Sequence, residues 1–220
     1  MKNLILLAVQ GAGKGTLAKV LCDKYSYAHI STGDILRERA AVGDEFGLNI
    51  KNLIDNGILV SDDIIYEAVE YRITQDDCKN GYILDGFPRT LDQAIGYDKI
   101  VSKLGIDSGI AVELVVPDDL LIKRLTGRRI CKQCGAIYNI YIDESKPLKN
   151  NICDNCDIEL TFRADDSNEE AIAARISTYH ENAKPILDYY KEKGILHKID
   201  GSNKVITLSQ TEDLLNKLGE

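Results

Sequence analysis

A glycine-rich turn offers the clearest chemistry in the chain. Gly11-Ala12-Gly13-Lys14-Gly15-Thr16 follows the apolar run Leu4 to Val9 and precedes Leu17, Val20 and Leu21, which have helical spacing. Glycines permit a tight turn that exposes backbone N–H groups, and a helix beginning there adds its positive end, so the natural ligand is an anion. Lys14 is long enough to reach β- and γ-phosphates, and Thr16 falls in the first helical turn beside them. The usual loop has glycine five residues before Gly13, where this chain has Ala8, and a hydroxyl residue directly after the lysine, where it has Gly15. Magnesium bound through that hydroxyl is therefore not expected. Phosphates and water would hold the ion, with a carboxylate behind the water. Asp85, ending the apolar Tyr82-Ile83-Leu84, is the candidate; its alternative is a strand-terminal cap.

Two further constellations carry chemistry. Cys131-x2-Cys134 and Cys153-x2-Cys156 are four of the six cysteines. Four thiolates in two knuckles suit a tetrahedral ion with no open position, and hence a structural metal. Zinc is favoured, with iron, disulfides or free thiols as alternatives. The run from Gly135 to Ile152 between the knuckles is rich in Asp, Lys and Asn and reads as a solvated extension without chemistry. The second constellation is arginine: Arg37, Arg89, Arg124, Arg128, Arg129, Arg163 and Arg175. Transfer of a phosphoryl group needs two anions held together and their charge offset, and the guanidinium fork binds two oxygens at once. Arg124 and Arg128 would share a helix face if that helix persists to the second. The scattered His29, His180 and His197 form no catalytic set.

The elements that would position these groups follow from hydrophobic patterning. Leu4 to Val9, Ala28 to Ser31, Tyr82 to Asp85, Ile110 to Val116 and Leu196 to Ile199 are short apolar runs separated by stretches long enough for crossover helices. They predict an α/β fold with a parallel sheet of about five strands covered on both faces. Two stretches exceed that alternation. Thr32 to about Arg72 predicts a helical insertion punctuated by Gly43, Gly47 and Gly57, and Gly127 to Phe162 predicts a small cysteine-bearing module before a helix over 168–193. Gly127, at the module's edge, is expected to contribute to a hinge.

Composition bounds the partners. With 220 residues, 44% of them hydrophobic, the chain can bury one large core with insertions. A net charge of −8 argues against a broad surface for nucleic acid or for an anionic membrane, but not against a local basic pocket. No run reaches transmembrane length and none reads as a signal segment, so a cytoplasmic location is expected. Nothing in the pattern signals an obligate oligomer, and a monomer is expected.

The order of these motifs closely resembles adenylate kinase, in its long-lid form with a four-cysteine, zinc-binding lid. The resemblance rests on Gly11–Thr16, Ser31-Thr32-Gly33-Asp34-Ile35-Leu36-Arg37, Asp85-Gly86-Phe87-Pro88-Arg89-Thr90, Arg124-Leu125-Thr126-Gly127-Arg128-Arg129, Arg163-Ala164-Asp165-Asp166 and Arg175. It implies the P-loop nucleoside-monophosphate kinase fold, with a central five-stranded parallel sheet flanked by helices. The core would be 1–30, 61–126 and 164–220, with an AMP-binding insertion at 31–60 and a lid at 127–163. The implied reaction is ATP + AMP = 2 ADP with Mg2+. Gly11, Ala12, Gly13, Lys14, Gly15 and Thr16 would hold the ATP phosphates, with Arg124 against the ATP adenine and Arg128 among the phosphates. Thr32, Arg37, Val60, Gly86, Arg89 and Gln93 would bind AMP together with Arg163 and Arg175; Arg37 and Arg89 would grip its phosphate, while Gln93 reads its base. Lys14, Arg89, Arg124, Arg128, Arg163 and Arg175 would be catalytic, and Asp34 and Asp85 would support the magnesium water shell. The chain departs from the family at Ala8, at Gln10 (commonly proline) and at Leu17 (commonly glutamine), all at the loop's margins. Two other readings are a kinase for a different nucleoside monophosphate, which Thr32 and Gln93 disfavour, and a zinc-knuckle nucleic-acid-binding protein, which would leave the phosphate loop without a use.

Overall fold

A computed structural model describes residues 3–55, 60–162 and 169–218; the side chains of residues 33, 34, 37, 38, 51, 53–55, 169, 171 and 175 lie outside that description. The elements in chain order are β1 (Leu4–Leu7), α1 (Lys14–Tyr25), β2 (Ala28–Ser31), α2 (Thr32–Ala41), α3 (Glu45–Asp55), α4 (Asp62–Ile73), β3 (Tyr82–Asp85) and α5 (Leu91–Leu104). They continue with β4 (Ile110–Val115), α6 (Asp118–Gly127), β5 (Arg128–Ile130), β6 (Ile137–Asn139), α7 (Glu169–Glu192), β7 (Leu196–Asp200) and α8 (Lys204–Lys217). Contacts divide the chain into two compact units, one of residues 1–8, 13–114 and 182–220, the other of 9–12 and 115–181.

The first unit holds the expected five-stranded sheet, in the order β2-β3-β1-β4-β7. The pairings β1–β3, β1–β4 and β2–β3 are parallel, with Leu4 opposite both Ile83 and Ile110. Strands buried on both faces have no reason to alternate, and all four residues of β1 are buried. β1 ends at Leu7, two residues before the apolar run does, because the main chain turns there into the glycine loop. The chain leaves β1 towards β2 and leaves β3 towards β4 on the other side of β1. The residues after β1 and β3 therefore flank a switch in strand order, the place where open α/β sheets take ligands.

Helices of this unit start and stop where local chemistry dictates. In α5 the N-cap hydroxyl of Thr90 accepts from the Gln93 N–H, and Ala94, Tyr97 and Val101 recur at helical spacing on its buried face. Asn203 caps α8 by accepting from the N–H groups of Val205 and Ile206. The largest core groups include Tyr82, Tyr97, Tyr190 and Phe87, all essentially buried. The hydroxyls of Tyr82 and Tyr97 meet at 2.8 Å, and that of Tyr97 reaches the Ser108 carbonyl at 3.2 Å, which satisfies these polar tips inside apolar surroundings.

In the second unit α6 stops at Gly127, and Arg128 is extended (φ −67°, ψ 135°). Arg124 and Arg128 therefore do not share a helix face. The helix ends because non-helical donors claim its last carbonyls: Asn139 Nδ2 donates to Arg124 O (2.8 Å) and Ile140 N to Gly127 O (2.9 Å). β5 and β6 pair antiparallel, with Arg128 opposite Asn139. The two cysteine knuckles repeat one turn. Cys131 O accepts from Gly135 N and Cys153 O from Asp157 N, each at 2.9 Å, and both donors lie in the left-handed region (φ 71° and 54°). Around them Cys131, Cys153 and Leu160 form a core of three buried residues, too small to hold a module by apolar burial.

Candidate functional site

The phosphate loop has the backbone its glycines predict. Gly11 and Gly13 have φ of 89° and 94°, which side chains rarely tolerate, and α1 begins at Lys14 immediately after. Gly11 is also required sterically, since a Cβ there would lie 2.9 Å from Leu125 Cγ. Gly13, Gly15 and Thr16 are exposed, so the turn is open to a ligand. Lys14 Nζ donates to Ala8 O at 2.7 Å. This explains why alanine serves at position 8: what the lysine meets is a main-chain carbonyl, and Ala8 is not in the left-handed region. Leu17, the other marginal departure, is simply core. A Cβ built on Gly15 would be 3.8 Å from Asp85 Oδ2, so that carboxylate stands beside the loop. Asp85 also faces His29 Nε2 at 3.4 Å.

Four sequence-predicted residues converge at the ends of β3 and α5. Gly86 O accepts from Thr32 Oγ1 (2.9 Å) and from Arg89 Nε (2.7 Å). Gly86 has φ 81°, and a Cβ on it would approach Arg89 Nη2 to 3.3 Å, so glycine suits it on both counts. Arg89 N–H donates to Gln93 Oε1 at 2.8 Å. The other end of that amide, Nε2, donates to Asp62 Oδ1 at 2.8 Å. Asp62 was not a sequence candidate. Ser61-Asp62-Asp63 reads as an ordinary acidic helix start, and nothing local signals a partner on another helix. Val60 is half-buried, separated from α4 by Ser61. In the second unit Arg124 Nη1 reaches Ala12 O at 3.5 Å, and Arg128 is half-buried at the start of β5. Arg129 is drawn away from ligand duty: it is buried, donates to the carbonyls of Thr126 and Arg128, and stacks on Phe162 with its guanidinium carbon 3.6 Å from the ring centre. Arg163 and the side chains of Asp34, Arg37 and Arg175 lie outside the described residues.

The four knuckle sulfurs all lie within 4.8 Å of one another, and those of Cys134 and Cys153 are 3.7 Å apart. Four sulfurs bonded tetrahedrally at 2.3 Å would be roughly 3.8 Å apart, so the cluster fits a zinc-sized ion. The cysteines are not paired as disulfides. Tyr138 lies in the run expected to be free of chemistry, yet its hydroxyl faces Cys153 Sγ at 3.5 Å while accepting the Asp154 N–H at 2.9 Å. That hydroxyl brings the Cys153 thiol down to about 6, and the Ala136 N–H holds Cys134 below its ordinary value. Cys156 is pushed up to about 12, chiefly by its hydrogen bond with Cys134.

Gly127 is close-packed. A Cβ would collide with Asn139 Oδ1 and lie 2.7 Å from Tyr141 Cδ2 and 3.0 Å from Asn139 Cγ. Its glycine is explained by this contact. Among the described residues no helix is long and apolar enough to cross a membrane.

The model of the adenylate kinase family matches residues 6–195. The chain is similar to the adenylate kinase of Acetivibrio thermocellus, 45% identical over 98% of this chain and 97% of that one. It is similar to that of Archaeoglobus fulgidus at 42% identity, over 98% and 99% of the two chains. That of Thermodesulfovibrio yellowstonii is 46% identical over 92% and 93%.

Proposed function

The chain belongs to the adenylate kinase family, and from that premise we propose how its residues divide the work of phosphoryl transfer from ATP to AMP. It is an ATP:AMP phosphotransferase. The observation that carries the residue assignment is the left-handed Gly11 and Gly13 backbone leading directly into Lys14 at the start of α1. Gly11 to Thr16 hold the ATP phosphates, with Lys14 leaving the Ala8 carbonyl for the β- and γ-oxygens. Arg124 lies against the ATP adenine. Thr32, Arg37, Val60, Gly86, Arg89 and Gln93 take AMP, with Arg37 and Arg89 on its phosphate.

An oxygen of the AMP phosphate attacks the γ-phosphorus, the bond from that phosphorus to the β-bridging oxygen breaks, and both nucleotides leave as ADP. The attacking oxygen is already anionic, so no side chain need take a proton. The enzyme contributes position and charge. Lys14, Arg89, Arg124, Arg128, Arg163 and Arg175 offset the negative charge as the phosphoryl group passes. Mg2+ bound with ATP would draw off phosphate charge, and Asp34 and Asp85 would support its water shell.

The core is 1–30, 61–126 and 164–220, the AMP-binding insertion 31–60 and the lid 127–163. Cys131, Cys134, Cys153 and Cys156 hold a structural Zn2+ that lets the lid move as a unit while bulk water is excluded from the γ-phosphoryl. The enzyme works as a cytoplasmic monomer. The test is an acceptor panel of AMP, GMP, CMP and UMP with ATP and Mg2+. AMP is expected to dominate, and absence of ADP formation from ATP and AMP would sink the assignment.

A further inference from the structure

We propose that Asp62 is a specificity-determining positioning residue, locking the Gln93 amide in the one orientation that accepts adenine and refuses a 6-oxopurine. The inference rests on the reading of Gln93 as the residue facing the acceptor base. An amide has an acceptor end and a donor end of nearly equal shape, so a half-turn about its last bond exchanges them. A 6-aminopurine presents a donor at C6 and an acceptor at N1; a 6-oxopurine presents the reverse at the same positions. An amide free to turn could satisfy either base, and shape alone would discriminate poorly between two rings of equal size.

Gln93 is not free to turn. It is buried, at 7% exposure. Its Oε1 accepts from the Arg89 backbone N–H, which can only donate, and its Nε2 donates to Asp62 Oδ1, a carboxylate, which when ionised can only accept. A half-turn would set NH2 against N–H and carbonyl against carboxylate, losing both bonds, one of them charge-assisted, in a place with little water to replace them. The two bonds occupy one acceptor position on Oε1 and one hydrogen on Nε2. A second lone pair and a second hydrogen remain for a base, with their order already decided. Asp63 beside it is exposed, whereas Asp62 is half-buried. Both carboxylates suit the positive start of α4, but only Asp62 has a described bond to the amide.

The experiment compares kcat/KM for AMP with that for IMP, which differs from AMP by this reversal alone and shares its ribose and phosphate. Asp62→Asn keeps volume but can itself turn and donate to Gln93 Oε1. Its AMP:IMP ratio is expected to fall about tenfold to a hundredfold, the worth of a bond to a charged group. Asp62→Ala should lower it similarly, and Asp63→Asn, which removes the same charge from the same helix turn, should leave it within twofold. A purely structural Asp62 would lower the melting temperature of the Asn variant and leave the ratio alone. If the Ala variant does not fold, the Asn variant carries the test. Gln93→Leu separates the premises. A ratio that collapses in Gln93→Leu but holds in both Asp62 variants overturns the lock and leaves the base-reading role standing; a ratio that holds in Gln93→Leu overturns both.

Discussion

Gly127 offers a sharp test, because the chain pattern and the packing give different reasons for its glycine. As a hinge it would be there for backbone freedom. In the structure it is there because Asn139 and Tyr141 occupy the space of a Cβ. Replacing it with alanine must push Asn139 aside, and Asn139 makes two bonds that close the joint between α6 and the β5–β6 hairpin: to Arg124 O at 2.8 Å and from Tyr141 N at 2.9 Å. Overpacking costs about 1–3 kcal/mol and each displaced bond about 1 kcal/mol, so Gly127→Ala should destabilise by about 3–5 kcal/mol. Asn139→Ala removes both bonds without a clash and should cost about 2 kcal/mol.

The double variant decides between the two explanations. With the Asn139 amide gone, the added methyl has room, and the Tyr141 ring, 51% exposed, can swing outward. The pair should then cost about as much as Asn139→Ala alone, a coupling of about 3–5 kcal/mol in a double-mutant cycle. Since the chain has no tryptophan, urea unfolding followed by far-ultraviolet circular dichroism is the assay, with the KM for ATP as a second readout because the Arg124 carbonyl anchors this joint. Additive losses would show that position 127 needs glycine for its backbone and would refute the packing argument.

Three other expectations follow from the described contacts. Lys14→Met should lower kcat by about 100-fold or more with little change in melting temperature; unchanged turnover would remove Lys14 from the transfer step. Elemental analysis should find about one zinc per chain, and chelation or Cys153→Ser should lower the lid's resistance to proteolysis; a metal-free lid of equal resistance would refute a structural ion. Burial holds the Tyr82 hydroxyl up at about 12, against an ordinary value of about 10. The unfolded chain therefore ionises first, so the stability carried by neutral Tyr82 is complete below about pH 10 and lost as pH rises through 12, on the order of 2 kcal/mol. Tyr82→Phe should flatten part of that decline, and an equally steep one would remove Tyr82 from it.

What the sequence disclosed depended on how far apart the cooperating residues lie. Gly11 to Lys14 and the two cysteine pairs are local in the chain, so their spacing alone implies their geometry, and the strands were legible because burial on both faces writes a continuous apolar run. Sequence placed the module's start at Gly127 but left open whether α6 persists to Arg128, because a group that ends the helix, Asn139, lies beyond a knuckle. Asp62 was hidden for the same reason: its partner Gln93 is 31 residues further on and already looks satisfied as the fourth residue of Thr90-Leu91-Asp92-Gln93, a helix-capping pattern. Tyr138 passed as solvated loop until the fold set it against Cys153.

The acidity of the chain and its polyanionic substrates are reconciled by what its cations touch. Arg39 and Arg72 each direct both terminal guanidinium nitrogens at one carboxylate, Asp44 and Asp77 at 2.6–2.8 Å, pairs that cancel charge and tie α2 and α4 to the turns beyond them. Among the described contacts, cations assigned to the nucleotides also meet main-chain carbonyls: Lys14 that of Ala8, Arg89 that of Gly86 and Arg124 that of Ala12. A carbonyl dipole fixes a cation's direction without cancelling its charge, and yields to a phosphate at the cost of one neutral hydrogen bond instead of a separated ion pair. Net charge counts both kinds of arginine alike. A backbone that turns carbonyls towards selected cations can keep a locally positive site inside a molecule of −8, and the same turns, at Gly11, Gly13 and Gly86, are those that only glycine enters readily.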